Sequence, residues 1–357
     1  MTQPSAATRL IAWHKLHGRH DLPWQRNGDA APDAYSIWLS EIMLQQTQVS
    51  TVIPYYERFL KRFPTVQSLA AAPLDAVLAL WSGLGYYSRA RNLHKAAGLI
   101  VQRHGGQMPD DPEVVQALPG IGRSTAAAIC VFAYGGRHAI LDGNVKRVLA
   151  RYCGVRGYPG EARVQAMLWR KAEALLPLRG KSAGKGARDI IAYTQGLMDL
   201  GASLCARRNP NCESCPLRAD CVAYLRGLTD TLPTAKPRAA LPQRATVMLL
   251  MRNAHKILLE KRAVEGIWGG LWSLPEVSHL RDARAAAKRY GVSVLASQTL
   301  PPLAHGFTHF KLLIEPLLLD VKKSRRRAPG VMWISAADAL TAAIPAPIRK
   351  IIVMHCF

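Results

Sequence analysis

The stretch Leu118-Pro119-Gly120-Ile121-Gly122-Arg123-Ser124-Thr125-Ala126-Ala127 decides how the first half of the chain is read. Gly120 and Gly122 bracket a sharp turn between two helices, and Ser124 and Thr125 begin the second. Backbone N–H groups at such a helix start point outward and form an anion site, so Gly120, Gly122 and Ser124 are candidate contacts to a phosphate backbone. A bare Gly-x-Gly fits any helical hairpin; Leu-Pro before it and Thr-Ala after it favour DNA binding. Eighteen residues beyond Ser124 comes Ile-Leu-Asp142-Gly-Asn144-Val-Lys-Arg147. Asp142 immediately precedes a helical run, where it would cap the helix and stay ionised.

Outward from this hairpin the pattern is helical. In residues 41–63, Ile42, Val49, Val52, Ile53, Tyr56, Phe59, Leu60 and Phe63 recur at spacings of three and four. Breakers at Pro64, Pro73, Gly83, Gly105, Gly120, Gly135 and Gly154 divide this half into short helices. Residues 227–244 carry three prolines and no apolar period, and read as a linker. Beyond it ATVMLLM, KILLEK, FKLLIEPLLLDV and GVMWIS read as strands, with helical stretches near 278–290 and 345–355. The expectation is a multidomain chain: an all-α domain over 1–226, a linker, and an α+β domain over 245–357.

The 357 residues hold 47 Lys+Arg against 24 Asp+Glu, a net charge of +23, and 49% are hydrophobic. That composition excludes global disorder. No apolar run reaches membrane-spanning length and no secretory h-region opens the sequence, so a cytoplasmic, membrane-free protein is expected. Up to residue 226 there are 28 basic and 16 acidic residues, and after it 19 and 8. Both halves therefore suit a polyanion, most simply nucleic acid. The run KKSRRR at 322–327 reads as a solvated loop.

Four of seven cysteines fall in Cys205-x6-Cys212-x2-Cys215-x5-Cys221. Thiolates packed this densely repel one another unless a metal neutralises them, and four suffice for a tetrahedral Zn²⁺ or an iron–sulfur cubane. One Cys-x2-Cys knuckle with two outlying cysteines, rather than two knuckles, favours the cluster. Arg207, Arg208 and Arg218, held between the ligands, are candidate phosphate contacts.

The hairpin, its following Asp and the cysteine loop resemble the helix-hairpin-helix DNA glycosylases of the endonuclease III superfamily. WLSEIMLQQTQVSTVIPYYERF (38–59), LWSGLGYYSRARNLHKAA (80–97), LPGIGRSTAAAI and ILDGNVKRVLAR are similar to its adenine DNA glycosylase (MutY) branch. The resemblance runs from about residue 9 to 226 and continues into the second domain. It implies one [4Fe-4S] cluster on the four cysteines, and a monomer acting on double-stranded DNA in the nucleoid. The DNA would carry adenine opposite 8-oxoguanine or guanine.

Cleaving an N-glycosidic bond takes a proton for the leaving base and a carboxylate for the cationic sugar. Glu41, between apolar Leu39 and Ile42, would be kept protonated by desolvation. Gln45 and Gln48, at i+4 and i+7, share its helical face and would orient it or hold the base. The resemblance implies that Glu41 protonates adenine at N7 and Asp142 stabilises the sugar, with Asn144 its companion. Gln46, Leu84 and Tyr86 match residues that wedge into the duplex, the last two on a glycine loop that lets side chains protrude. Gln195 matches a residue lining the adenine pocket. Bifunctional relatives carry a lysine where Ser124 stands; an alcohol forms no imine, so base excision without strand cleavage is expected.

In the second domain Gly270-x5-Glu276-x7-Arg284 resembles a Nudix box. Ala285, Lys288 and Arg289 occupy the places of its metal-binding acids, so no Mg²⁺ is expected to be needed. The loop His305-Gly-Phe307-Thr308-His309-Phe310 resembles one that finds 8-oxoguanine, with Thr308 in place of the usual serine. Two rivals remain: an endonuclease III-type glycosylase and lyase, and a lesion-binding Fe–S protein that excises nothing.

Overall fold

The computed structural model describes residues 4–25, 33–178, 185–237, 240–323 and 329–357. The chain forms two compact units: residues 1–70 with 95–238, and residues 71–94 with 239–357.

The first unit is helical. Its helices are α1 (Ala6–His17), α2 (Ala34–Leu44), α3 (Val49–Arg62) and α4 (Val66–Ala70). After α5 (Leu74–Trp81), which belongs to the other unit, comes α6 (Ser88–His104), which enters this one part-way along its length. Then follow α7 (Pro112–Gln116), α8 (Arg123–Tyr134), α9 (Gly143–Tyr152), α10 (Ala162–Ala174), α11 (Lys185–Ala202) and α12 (Val222–Leu225). The 41–63 periodicity does not describe one helix. The chain breaks after Leu44, where Gln46 takes a left-handed φ of 57°, and resumes at Val49. A core of Leu10, Val131, Leu141, Val145, Leu149, Leu168, Tyr193 and Leu197 ties α1, α8, α9, α10 and α11 together. Burial of these side chains, at about 1.5–3 kcal/mol each, is what fixes the loops between the helices.

The second unit is built on an eight-stranded sheet. Its strands are β1 (Gln243–Asn253), β2 (Lys256–Lys261), β3 (Trp272–Ser273), β4 (Glu276–Val277), β5 (Val292–Thr299), β6 (Leu303–Gly306), β7 (Lys311–Lys323) and β8 (Val331–Ser335). The principal order is β3-β2-β1-β7-β5, with β1 and β7 parallel over ten residue pairs, Gln243↔Lys311 to Arg252↔Asp320. Helices α13 (Ala283–Arg289), α14 (Ala336–Ala339) and α15 (Ala346–His355) complete it, α13 pressing Ala283, Ala286 and Ala287 into the core with Leu249, Met251 and Leu258. This unit also takes in residues 71–94. Ser82 Oγ donates to Ile344 O at 2.9 Å and Arg91 Nη1 to Gly269 O at 2.7 Å. Residues 324–327 of the basic run lie outside the described residues. Among the described residues no helix is long and apolar enough to cross a membrane.

Candidate active site

Helix α2 places Glu41 on the wall of a cavity of about 220 Å³ that is also lined by His14, His20, Trp24, Ser40, Phe132 and Gln195. Trp24, Ile37, Phe132 and Ile191 make much of the wall apolar, and no lysine or arginine among the described residues lines it. Desolvation, with the Asp142 charge adding to it, pushes the Glu41 carboxyl up to about 8. At neutral pH Glu41 therefore carries a proton it can give.

Asp142 caps α9 as its position predicts: Oδ1 accepts the Val145 N–H at 2.7 Å. The expected ionisation is opposed, however. Burial raises its carboxyl above the ordinary Asp range, outweighing the Val145 and Asn144 N–H groups and the charges of Arg147 and Lys146. Ser124, at the second position of α8, accepts the Leu141 N–H on its hydroxyl at 2.8 Å. Asn144 turns its Oδ1 to Arg147 Nη2 at 2.9 Å, and the same guanidinium donates to Gly201 O and Cys205 O at 2.6 and 2.9 Å.

The hairpin forms as the sequence implies. Gly120 has a φ of 79°, a conformation costly for any side chain, and Gly122 stands at the N-cap of α8 with open space around it. The first N–H groups of α8 have no intrahelical acceptor, and no side chain of the N-cap residue Gly122 bonds them. Gln45 does not face the cavity. As α2 ends at Leu44, Gln45 becomes its C-cap, and its Nε2 donates instead to Gly120 O and Thr125 Oγ1, both at 3.4 Å. Gln48 likewise leaves the Glu41 face, as N-cap of α3. Gln46, beside the break, is exposed.

In the other unit the 82–87 loop has φ of 100° at Gly83, 77° at Gly85 and 48° at Tyr86. Tyr86 protrudes, 43% exposed, but Leu84 does not: it is 5% exposed. Arg89, buried under the loop, ties it inward by donating to Leu84 O and Gly85 O. Residues 307–310 form the tip of the β6–β7 hairpin, closed by the Phe307 N–H on Phe310 O at 2.9 Å. Phe307 stacks on the buried Phe310 ring at 4.5 Å, while Thr308 and His309 project, Thr308 Oγ1 lying 3.4 Å from His309 Nδ1. Glu276 of the degenerate box is held by Arg262 through two bonds, 3.0 and 3.1 Å.

Cys205, Cys212, Cys215 and Cys221 line one small cavity together. Among the described residues no group of three or more Cys, His, Asp or Glu converges closely enough for a single ion. Burial raises the Cys212, Cys215 and Cys221 thiols and their neighbours' charges raise them further, the repulsion a shared metal group would relieve. Buried Arg151 donates to Cys205 Sγ at 3.4 Å, a contact suited to a thiolate. Four sulfur donors around one cavity fit such a group. Arg207 and Arg208 are exposed, whereas Arg218 is paired with Glu213 at 2.6 Å.

Two family models match: an HhH-GPD superfamily base excision DNA repair protein over residues 39–174, and a NUDIX domain over 246–354. An adenine DNA glycosylase of Buchnera aphidicola from Acyrthosiphon pisum is 34% identical over 355 residues, covering 99% of this chain and 98% of the relative. The chain belongs to the adenine DNA glycosylase family. The mouse adenine DNA glycosylase is 32% identical, with 98% of this chain and 77% of the relative aligned. A thermostable thymine-DNA glycosylase of known structure is 29% identical, with a TM-score of 0.53 over 61% of this chain and 94% of that one. This chain is thus a base excision repair glycosylase, a hydrolase of N-glycosyl bonds, with an HhH-GPD helical part and a Nudix part.

Several residues of this glycosylase's cavity were not legible. Asp199, 3% exposed, holds Gln195 in place by accepting its Nε2 at 2.9 Å, and accepts Arg19 N and Nε at 2.8 and 2.7 Å. His14 stands 3.7 Å from the same carboxylate, and burial, against the Asp199 charge, lowers its imidazole below the usual range. The crowding of His14, His17 and His20 near Trp24 was the available signal, and Asp199 four residues after Gln195 in an apolar stretch was another.

Proposed function

We propose that this glycosylase excises adenine mispaired with 8-oxoguanine or guanine in duplex DNA, without strand cleavage. The observation that carries the reading is Glu41, raised to about 8 on the wall of a base-sized cavity with Asp142 nearby. The adenine leaves the helix and enters the cavity, where Gln195 contacts it. Glu41 gives its proton to N7, the leaving base departs neutral, and the Asp142 carboxylate stabilises the oxocarbenium-like sugar until water adds. Growth of positive charge on the sugar favours the ionised form of Asp142 at the step that uses it. Gly120, Gly122 and the N-terminus of α8 grip the phosphates. Gln46 and Tyr86 enter the duplex, both on backbone held in the left-handed region at exposed sites. Phe307, Thr308 and His309 read the 8-oxoguanine.

Cys205, Cys212, Cys215 and Cys221 would hold one [4Fe-4S] cluster. Bound there, it supplies a rigid tie for the loop that presents Arg207 and Arg208. Single-turnover excision tests the reading on duplexes carrying adenine opposite 8-oxoguanine, guanine or thymine, each with and without alkali. Alkali-dependent cleavage fastest opposite 8-oxoguanine is expected. Cleavage without alkali would replace it with a lyase, and tight lesion binding without base release with a binding protein.

A further inference from the structure

Ser124 occupies the position where bifunctional relatives hold a nucleophile, yet its hydroxyl is engaged elsewhere. Its Oγ accepts the backbone N–H of Leu141 at 2.8 Å. Leu141 is 3% exposed, with its side chain in the helical core. A buried N–H that loses its acceptor is left unsatisfied at a free-energy cost, so the segment cannot shift freely while this bond holds. The next residue is Asp142. Its carboxylate is placed by backbone alone: the N-cap conformation, φ −78° and ψ −175°, brings Oδ1 to the Val145 N–H at 2.7 Å.

We propose that Ser124 is a positioning residue for base excision, fixing the Asp142 carboxylate through the Leu141 backbone. This rests on the reading of Asp142 as the sugar-stabilising acid. The hydroxyl ties the first turn of α8, the helix that follows the DNA-gripping hairpin, to the residue before the acid. Hairpin and acid are thereby held in one register. A lysine at this position offers three donors and no acceptor, and so cannot make the bond. The charged or titratable groups that face Asp142 are Glu41 from α2 and Lys146 and Arg147 from α9. With Asp142 held, the Val145 and Asn144 N–H groups favour its ionised form. Once it is loosened they favour that form less.

The test is single-turnover excision at saturating enzyme from pH 5 to 9, with duplex affinity measured alongside, for S124A, S124T and D142N. We expect S124A, which keeps the backbone N–H of residue 124, to slow excision about tenfold at saturating enzyme, and to move the acid limb of the profile to higher pH. S124T keeps the acceptor and restores both rate and limb. A merely structural serine would lower the amount of active protein without moving the limb and without rescue by threonine; that result overturns the proposal. Wild-type rate and limb in S124A, with D142N inactive, overturns it while leaving Asp142 its role. Wild-type excision by D142N overturns the Asp142 reading itself. If S124A does not fold, S124C, close to serine in size and a poor acceptor, is held to the same two outcomes.

Discussion

Glu41 and Glu276 are both glutamates supported by apolar cores, and the chain treats them in opposite ways. Glu41 faces a cavity whose described lining holds no lysine or arginine, and its carboxyl is pushed up to about 8. Glu276 receives the forked guanidinium of Arg262 on both oxygens. The first arrangement costs stability whenever the acid ionises and supplies a proton donor in return. The second spends its acid on a local tie, close in sequence to α13, whose last turn carries Lys288 and Arg289. The counter-charge, more than the acid, separates the two environments.

The largest expected effect is on the unpaired acid. E41Q keeps the shape and removes the proton, and excision is expected to fall by about 10²–10⁴ in single-turnover assays. In the wild type, excision should decline as pH rises through about 8, where Glu41 loses its proton. Stability carries the same signature. The folded pKa lies above the reference 4.5, so the folded state holds the proton longer, and stability falls as pH rises from about 4.5 through about 8. Melting curves across that window should slope down for the wild type and less for E41Q. Next comes the cysteine loop. C212S is expected to lose iron, and to weaken duplex binding with a shallower salt dependence, as Arg207 and Arg208 lose their support. A smaller effect is expected at the β6–β7 tip: T308A should lower the preference for 8-oxoguanine over guanine opposite adenine about tenfold, with excision opposite guanine unchanged. The smallest belongs to the paired acid. E276Q should cost under about 1 kcal/mol in a denaturation midpoint and leave excision alone, since the pair is partly exposed.

Much of this was legible because local sequence dictated it. The Gly120 turn, the Asp142 cap and the strand-forming runs of β1, β2, β7 and β8 each follow from spacing or backbone demand within a few residues. What escaped depended on contacts that spacing alone does not show, some near and some far along the chain. Gln45 sits at helical spacing from Glu41, but a left-handed residue at Gln46 ends α2 and sends Gln45 to the hairpin. Leu84 lies in a glycine loop and still turns inward, because buried Arg89 holds the loop carbonyls. Asp199 fixes Gln195 from the same helix, yet its other contact, Arg19, is 180 residues away. Strands β5 and β6 also escaped, since each is held along the edge that β7 offers.

The four-residue tip at 307–310 has a kinetic consequence. Its closing hydrogen bond and the stacked Phe307 ring set Thr308 and His309 in place before any DNA arrives. The ordering entropy of the tip has already been met by folding, so contact with a base need not wait for a loop to settle. A repair enzyme must discard very large numbers of normal pairs for each lesion found. On the proposed reading of Phe307, Thr308 and His309, a tip already ordered in the free protein would reject each of them within a single brief encounter, and the time spent per undamaged pair, more than final affinity, would be the quantity this hairpin governs.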